Sequence, residues 1–153
     1  MEVRSITNQF YEVTSRIERT SEDDMQKVVK DTIVVSAVSF SDAEKKATEF
    51  YDEVVNLEKV CAIKESTYRE YVKRTDIEPN LSFYKVTVGM ITINEVTGKE
   101  KTTKVAYLVD AGSTKEAEDV INKMFSGTLI DYKIISIKET NVTDIVLDLV
   151  NYG

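Results

Sequence analysis

The clearest pattern in the chain is an alternation of apolar and polar positions that occurs twice. In the first occurrence Tyr11, Val13 and Ile17 are separated by polar residues, and a second apolar set follows at Ile33, Val35 and Ala37. The corresponding residues of the second occurrence are Tyr84, Val86, Val88 and Met90, then Tyr107, Val109 and Ala111. A period of two predicts half-buried β-strands, and the polar segment between the two strands of each set predicts a hairpin.

Each predicted hairpin is followed by apolar residues at spacings of three and four, which predicts an amphipathic helix. A serine precedes each of these stretches, Ser39 in the first and Ser113 in the second. An acidic residue lies three positions after each serine, Asp42 and Glu116. This is a capping pattern that satisfies free N–H groups at a helix start. The stripes are Phe40, Ala43, Ala47, Phe50, Tyr51 and Val54 in the first helix and Ala117, Val120, Ile121, Met124 and Phe125 in the second. A third strand is predicted after each helix, at 59–65 and 133–139.

The two halves of the chain match each other over most of their length. At a shift of 74 positions the matching pairs include Lys27/Lys101, Lys30/Lys104, Lys59/Lys133 and Lys64/Lys138. We therefore predict two tandem ββαβ repeats, residues 1–76 and 77–153, that form one globular α+β domain. A unit of about 70 residues buries little by itself. We expect pseudo-twofold packing around an antiparallel or mixed sheet with two helices on one face.

The order of the strands follows in part from chain chirality. A right-handed crossover places the third strand of each repeat parallel to the second, beside the first. Two segments remain open in this prediction. Residues 67–72 and 141–149 either continue the third strand after a bulge or turn back as a fourth strand.

Three motifs resemble an uncharacterised family from Bacteroides-type bacteria and their phages, catalogued only as a domain of unknown function. They are FYKV at Phe83–Val86, LVDAGS at Leu108–Ser113 with Glu116-Ala117 after it, and DYKIISIKET at Asp131–Thr140. The first repeat departs from the pattern, with Phe10-Tyr11 where the family often has a tryptophan and Ser36 where the second repeat has Asp110. The resemblance implies a tandem αβ fold and a phage context, and it carries no activity or catalytic residue.

Composition excludes several classes of site. The chain has no histidine, which removes histidine triads and histidine metal sites. The lone Cys61 lies in an apolar run and is predicted to be a buried thiol. Because the chain offers neither a histidine nor an accessible thiol, we expect neither an enzyme nor a cofactor or metal. A net charge of −7 argues against duplex nucleic acid and an anionic membrane surface. With no signal-peptide core and no run of 18 apolar residues, we expect a cytoplasmic protein, in its own cell or in a host.

The repeated lysines give one candidate ligand site. Pseudo-twofold packing would pair Lys27 and Lys30 with Lys101 and Lys104 around a small anionic ligand, with Tyr11 and Tyr84 available for stacking. The alternative is that these lysines only protect strand edges.

An apolar sheet face gives a second candidate. If the helices cover one face, then Val34, Val60, Leu108, Ile134, Ile91 and Ile93 point the other way, and something must cover them. We therefore expect a non-enzymatic interaction or assembly protein, of phage accessory or structural type, with itself or another protein as partner. The alternative is a protein that binds or sequesters a small nucleotide or single-stranded nucleic acid.

Overall fold

The computed structural model describes residues 2–4 (backbone only), 9–20, 25–54, 56–73 and 82–147. In chain order the elements are β1 (Glu2–Arg4), β2 (Gln9–Thr20), β3 (Gln26–Ala37), α1 (Phe40–Val54), β4 (Asn56–Glu65), β5 (Tyr68–Lys73), β6 (Ser82–Ile93), β7 (Glu100–Ala111), α2 (Thr114–Phe125), β8 (Asp131–Glu139) and β9 (Val142–Val146). They form two compact units. The first unit contains β2, β3, α1, β4 and β9, and the second unit contains β1, β5, β6, β7, α2 and β8.

The first unit is a four-stranded sheet in the order β4-β2-β3-β9. β2 pairs antiparallel with both β3 and β4, while β9 is parallel to β3. Odd-numbered residues of β2 and β3 face α1, as alternation along a strand requires. The core on this side is formed mainly by Tyr11, Val13, Ile17, Ile33, Val35, Ala37, Ala43, Ala47 and Tyr51.

The second unit is a five-stranded sheet in the order β1-β5-β7-β6-β8. β6 pairs antiparallel with β7 and β8, β5 is parallel to β7, and β1 adds to the outer edge of β5. The core beside α2 is formed mainly by Val72, Tyr84, Val86, Val88, Tyr107, Val109, Ala111, Ala117, Val120, Ile121 and Phe125. The described part of the chain is thus a mixed α+β structure with two helices and two mixed sheets.

Both helices begin as their sequences predict. The Ser39 Oγ accepts a hydrogen bond from the Asp42 N–H, and the Ser113 Oγ accepts one from the Glu116 N–H, each at 3.1 Å. The acid of each cap accepts in return, Asp42 from the Val38 N–H and Glu116 from the Gly112 N–H. The bond from Val38, and then the bond and charge of Lys46, lower the pKa of the Asp42 carboxyl. Neither helix in the described part is long and apolar enough to span a membrane.

The strand order confirms part of the sequence prediction and corrects another part. β4 lies beside β2 and β8 beside β6, so each third strand runs parallel to the second and next to the first. The open segments are fourth strands, β5 and β9. However, the described strands form two sheets with one helix each, and not a single sheet with two helices on one face.

The fourth strands do not join the sheet of the strand that precedes them. β5 follows β4 in the chain but pairs with β7, and β9 follows β8 but pairs with β3. The predicted repeat boundary at residues 76/77 lies outside the described residues. Residues 21–24 of the first polar hairpin loop and residues 148–149 of the open segment 141–149 also lie outside them. Within the described part, each compact unit therefore contains the strands of one sheet and is not one of the two predicted sequence repeats.

Two of the three β-bulges in the described antiparallel pairs correct the predicted directions of several side chains. Ser15 pairs with Val60 and Thr14 with Ala62, so Cys61 is the unpaired extra residue of β4. Ile135 occupies the same place in β8, between Ile134 and Ser136. An extra residue reverses the alternation on one side of it. Val60 and Ile134 therefore pack against the helix-side cores, and Cys61 is exposed, although the sequence predicted a buried thiol.

The sheet faces away from the helices are covered only in part. Val34 and Leu108 on these faces have no exposed surface. Farther along β6 and β8, Ile93 is 59% exposed and Ile135 is 40% exposed. The apolar surface that needs a partner is therefore smaller than the sequence suggested, and it lies toward the β6–β7 hairpin tip.

Candidate functional site

The four predicted ligand lysines are exposed but do not share one face within either unit. Lys27 and Lys30 lie on β3 of the first unit, and Lys101 and Lys104 lie on β7 of the second. Residues three apart in a strand point to opposite faces. Lys27, opposite Arg19, is on the helix side, and Lys30 is on the other side; Lys101 and Lys104 differ in the same way.

The two tyrosines proposed for stacking are part of the helix-side cores. Tyr11 is 5% exposed and Tyr84 is 6% exposed. The Tyr11 ring meets the Phe40 ring edge-on at a centroid distance of 5.0 Å. Burial, and then the charges of Glu139 and Glu116, raise the pKa of Tyr84. Neither ring presents an open face on which a base could stack.

A different set of cations comes together in the first unit. Arg16 of β2 lies directly opposite Lys30 of β3 and, on its other side, opposite Lys59 of β4. All three side chains are exposed on the face away from α1. We call Lys30, Arg16 and Lys59 the basic row. Beside it is a cavity of about 480 Å³ lined by Arg16, Val28, Val29, Lys30 and Glu58.

Sequence comparison between the repeats could not select Arg16, because its counterpart is not basic. Gly89 occupies the same position in the second unit, between Lys104 and Lys133. A Cβ at Gly89 would lie 2.8 Å from Thr102 Cγ2 and 3.0 Å from Ile135 Cδ1. The glycine therefore allows these two side chains to close over the strand.

An apolar surface results on this face of the second unit. Ile91 and Ile93 follow Gly89 at alternate positions of β6, and Thr102 lies directly opposite Ile91. We call Gly89, Ile91, Ile93, Thr102 and Ile135 the isoleucine patch.

Charges of opposite sign border the isoleucine patch at its two ends. Lys104 and Lys133 flank Gly89 at one end. At the other end Asp131 lies opposite Ile91, and Glu100 lies opposite Ile93. All four charged side chains are exposed, and in the described part of the chain none of them forms an ion pair. The patch is thus basic at one end and acidic at the other.

The first unit also contains a buried carboxylate, on the helix side. Asp31 is 6% exposed and accepts hydrogen bonds from the Tyr51 hydroxyl and the Thr143 hydroxyl, each at 2.8 Å. The Arg19 guanidinium lies 3.3 Å from the same carboxylate. Burial, and then the neighbouring Asp31, raise the pKa of Tyr51 far above its ordinary value. We call Asp31 and its three partners the Asp31 cluster; the partners are Tyr51, Thr143 and Arg19.

The Asp31 cluster connects four elements of the first unit: β2, β3, α1 and β9. Its hydroxyls and its guanidinium are all directed at the one carboxylate, which leaves no polarised nucleophile in the cluster. The arrangement is suited to holding β9 and α1 against the sheet. Sequence reasoning missed it because Asp31 stands alone in an apolar strand and its partners are distant in the chain.

Searches among curated proteins and among solved structures find no match to this chain. One family model does match, over residues 9–148, and its description is a domain of unknown function, DUF4494. The matched range includes every described element except β1. The chain therefore belongs to the DUF4494 family.

Proposed function

We propose that this protein is a non-enzymatic interaction protein that associates with a second copy of itself through the isoleucine patch. The observation that carries the proposal is the exposed apolar surface around Gly89, with Ile93 59% and Ile135 40% exposed. Covering a side chain of this size contributes on the order of 1 kcal/mol when about half of it was exposed. A weak, reversible association is therefore expected.

The charges at the ends of the patch favour a second copy as the partner. In a twofold dimer the same surface of each copy meets the other, turned by half a rotation. A twofold axis that crosses the middle of the patch, at right angles to the line from its basic end to its acidic end, places Lys104 and Lys133 of one copy near Glu100 and Asp131 of the other. Opposite charges at the border of an interface fix its orientation and oppose wrong pairings. The patch is thus complementary to itself.

Other features of the chain agree with a role in assembly. The chain has no histidine for acid–base work. The repeated ββαβ order and the matching lysines suggest a duplicated unit, for which pseudo-twofold packing is our proposal. A phage accessory or structural role rests on the motifs at Phe83–Val86, Leu108–Ser113 and Asp131–Thr140. The cytoplasm, of its own cell or of a host, is our proposal for its location.

Sedimentation equilibrium across concentrations from about 10 μM to about 1 mM tests the proposal. We expect the wild-type protein to form dimers in this range and Ile93→Glu to remain monomeric. Val96→Glu is the matched control, because Val96 is 94% exposed at the hairpin tip and lies outside the patch. It should associate like the wild type.

A charge exchange tests the orientation. Lys104→Glu should weaken the dimer, and the double variant Lys104→Glu with Glu100→Lys should restore it. A wild-type protein that is monomeric at every concentration would overturn the proposal. Equal weakening by Val96→Glu and Ile93→Glu would overturn it as well, since the association would then not depend on the patch.

A further inference from the structure

We infer that the basic row of the first unit, Lys30, Arg16 and Lys59, is a binding site for the phosphate group of a small molecule of mononucleotide size. This site lies on a different unit from the isoleucine patch. The inference does not depend on self-association.

Three adjacent strands each contribute one cation to the row. Neighbouring strands are about 4.8 Å apart, so three long basic side chains in register can reach one tetrahedral oxyanion. Like charges directly opposite each other destabilise a sheet. In the described part of the chain, none of the three forms an ion pair that would relieve this repulsion. A bound dianion would relieve it.

The cavity beside the row gives the ligand its size. Its volume of about 480 Å³ is within the range of small-molecule sites. Val28, which is 52% exposed and lies on the same face of β3 as Lys30, provides an apolar wall against which the rest of a ligand can pack.

Two carboxylates limit what else can bind. Glu58 lines the cavity, and Glu18 lies two residues beyond Arg16 on the same face of β2. They can accept hydrogen bonds from ligand hydroxyl or amino groups. The two carboxylates would repel the next phosphate of a bound oligonucleotide, which argues against a long single strand of nucleic acid as the ligand.

The second unit shows what the same position looks like without the site. Lys104 and Lys133 are present there, but Gly89 replaces the central arginine and Ile135 closes over it. Arginine is the side chain best suited to hold a phosphate through two parallel hydrogen bonds. The two units therefore differ in the central residue on which a phosphate site depends.

The inference is tested by titrating the full-length protein with adenosine monophosphate and with pyrophosphate. Calorimetry and backbone amide NMR shifts monitor the binding. We expect saturable binding at millimolar or lower concentration that weakens as sodium chloride rises, with shifts in β2, β3 and β4 around the row. Arg16→Gln should lower the affinity about tenfold or more, and Lys59→Gln should lower it less.

Two controls make the test specific. Lys104→Gln changes the same row in the second unit, and Lys27→Gln changes β3 on its opposite face; both should bind like the wild type. All four positions are exposed, and a thermal melt of each variant confirms that it remains folded. Absence of binding at 10 mM ligand, or full affinity in Arg16→Gln, would overturn the inference. Tighter binding of a thymidine oligonucleotide than of the mononucleotide would overturn the limit on ligand size.

Discussion

At the scale of single residues, the two units differ in the side chains that lie between the helix and the second strand of each hairpin. The Asp31 cluster uses a carboxylate on β3 and a tyrosine on α1, and the residues 74 positions later are Val105 and Phe125. Both belong to the apolar packing beside α2. A buried carboxylate must keep its donors, because an unpaired one is costly. An apolar pair has no such requirement.

Removal of one donor from the Asp31 cluster should destabilise the protein measurably. Tyr51→Phe deletes the hydroxyl that donates to Asp31 over 2.8 Å and leaves the ring in place. We expect the free energy of unfolding to fall by about 1–2 kcal/mol, since the acceptor is charged and buried. Urea denaturation followed by circular dichroism measures this difference.

Two further variants decide whether the loss comes from the hydrogen bond. Tyr132→Phe deletes an exposed hydroxyl that donates to Asn122 over 2.7 Å, and it should cost less than about 0.5 kcal/mol. Asp31→Val combined with Tyr51→Phe copies the Val105 and Phe125 pair and should regain at least half of the lost stability. A double variant that is less stable than Tyr51→Phe would contradict the idea that the two chemistries are interchangeable.

At the scale of elements, hydrophobic alternation predicted every strand of the two hairpins, both helices and the position of each third strand. These elements are specified locally, by period and by capping residues. Alternation failed at Cys61 and Ile135, because a bulge inserts one residue without changing the apolar character of its neighbours. Both bulges lie on strands at a sheet edge, β4 and β8, where they cause the least loss of pairing.

The bulge at Cys61 of β4 predicts the reactivity of the only thiol. Cys61 is exposed, so it should react with a disulfide reagent in the native protein within about tenfold of its rate in denaturant. Stopped-flow absorbance in the two conditions provides the ratio. The variant Val60→Cys with Cys61→Ser moves the thiol by one residue into the helix-side packing and should react far more slowly. A slower reaction of Cys61 than of the thiol at position 60 would show that the strand has no bulge here, because uninterrupted alternation from Ile63 would place residue 61 on the helix side.

At the scale of the whole molecule, the two units alternate along the chain, and each is formed from two separate stretches. The second unit combines β1 with the continuous stretch from β5 to β8, and the first unit combines β2 through β4 with β9 from the far end of the chain. The residue pairs between β9 and β3 become the pairs between β5 and β7 when the numbers are shifted by 74 positions. Each pairing leaves one residue without a partner in the ladder, Thr143 in β9 and Arg69 in β5. Sequence could not show this, because apolar alternation does not encode which sheet a strand joins.

This topology predicts that β9 can be moved to the start of the chain. Val146 pairs with Val35 and Gln9 pairs with Ala37, so β9 ends and β2 begins at the same end of the sheet, with β3 between them. The second unit makes the equivalent connection from β5 to β6 through residues 74–81. A permuted chain that begins at Asn141, joins Leu147 to Gln9 through a Gly/Ser linker of the same length, and ends at Thr140 should therefore fold.

The matched control for the permuted chain is the linear segment 9–147, which likewise lacks β1. Because β8 and β9 are not hydrogen-bonded to each other, the cut between Thr140 and Asn141 removes no strand pairing. We expect the two chains to unfold in urea within about 1 kcal/mol of each other, since a short flexible linker changes loop entropy only slightly. Amide NMR spectra should also agree outside the new junctions. A permuted chain that is unfolded while the linear control is folded would show that β9 needs its natural connection to β8, and that the first unit is not equivalent to a permuted copy of the second.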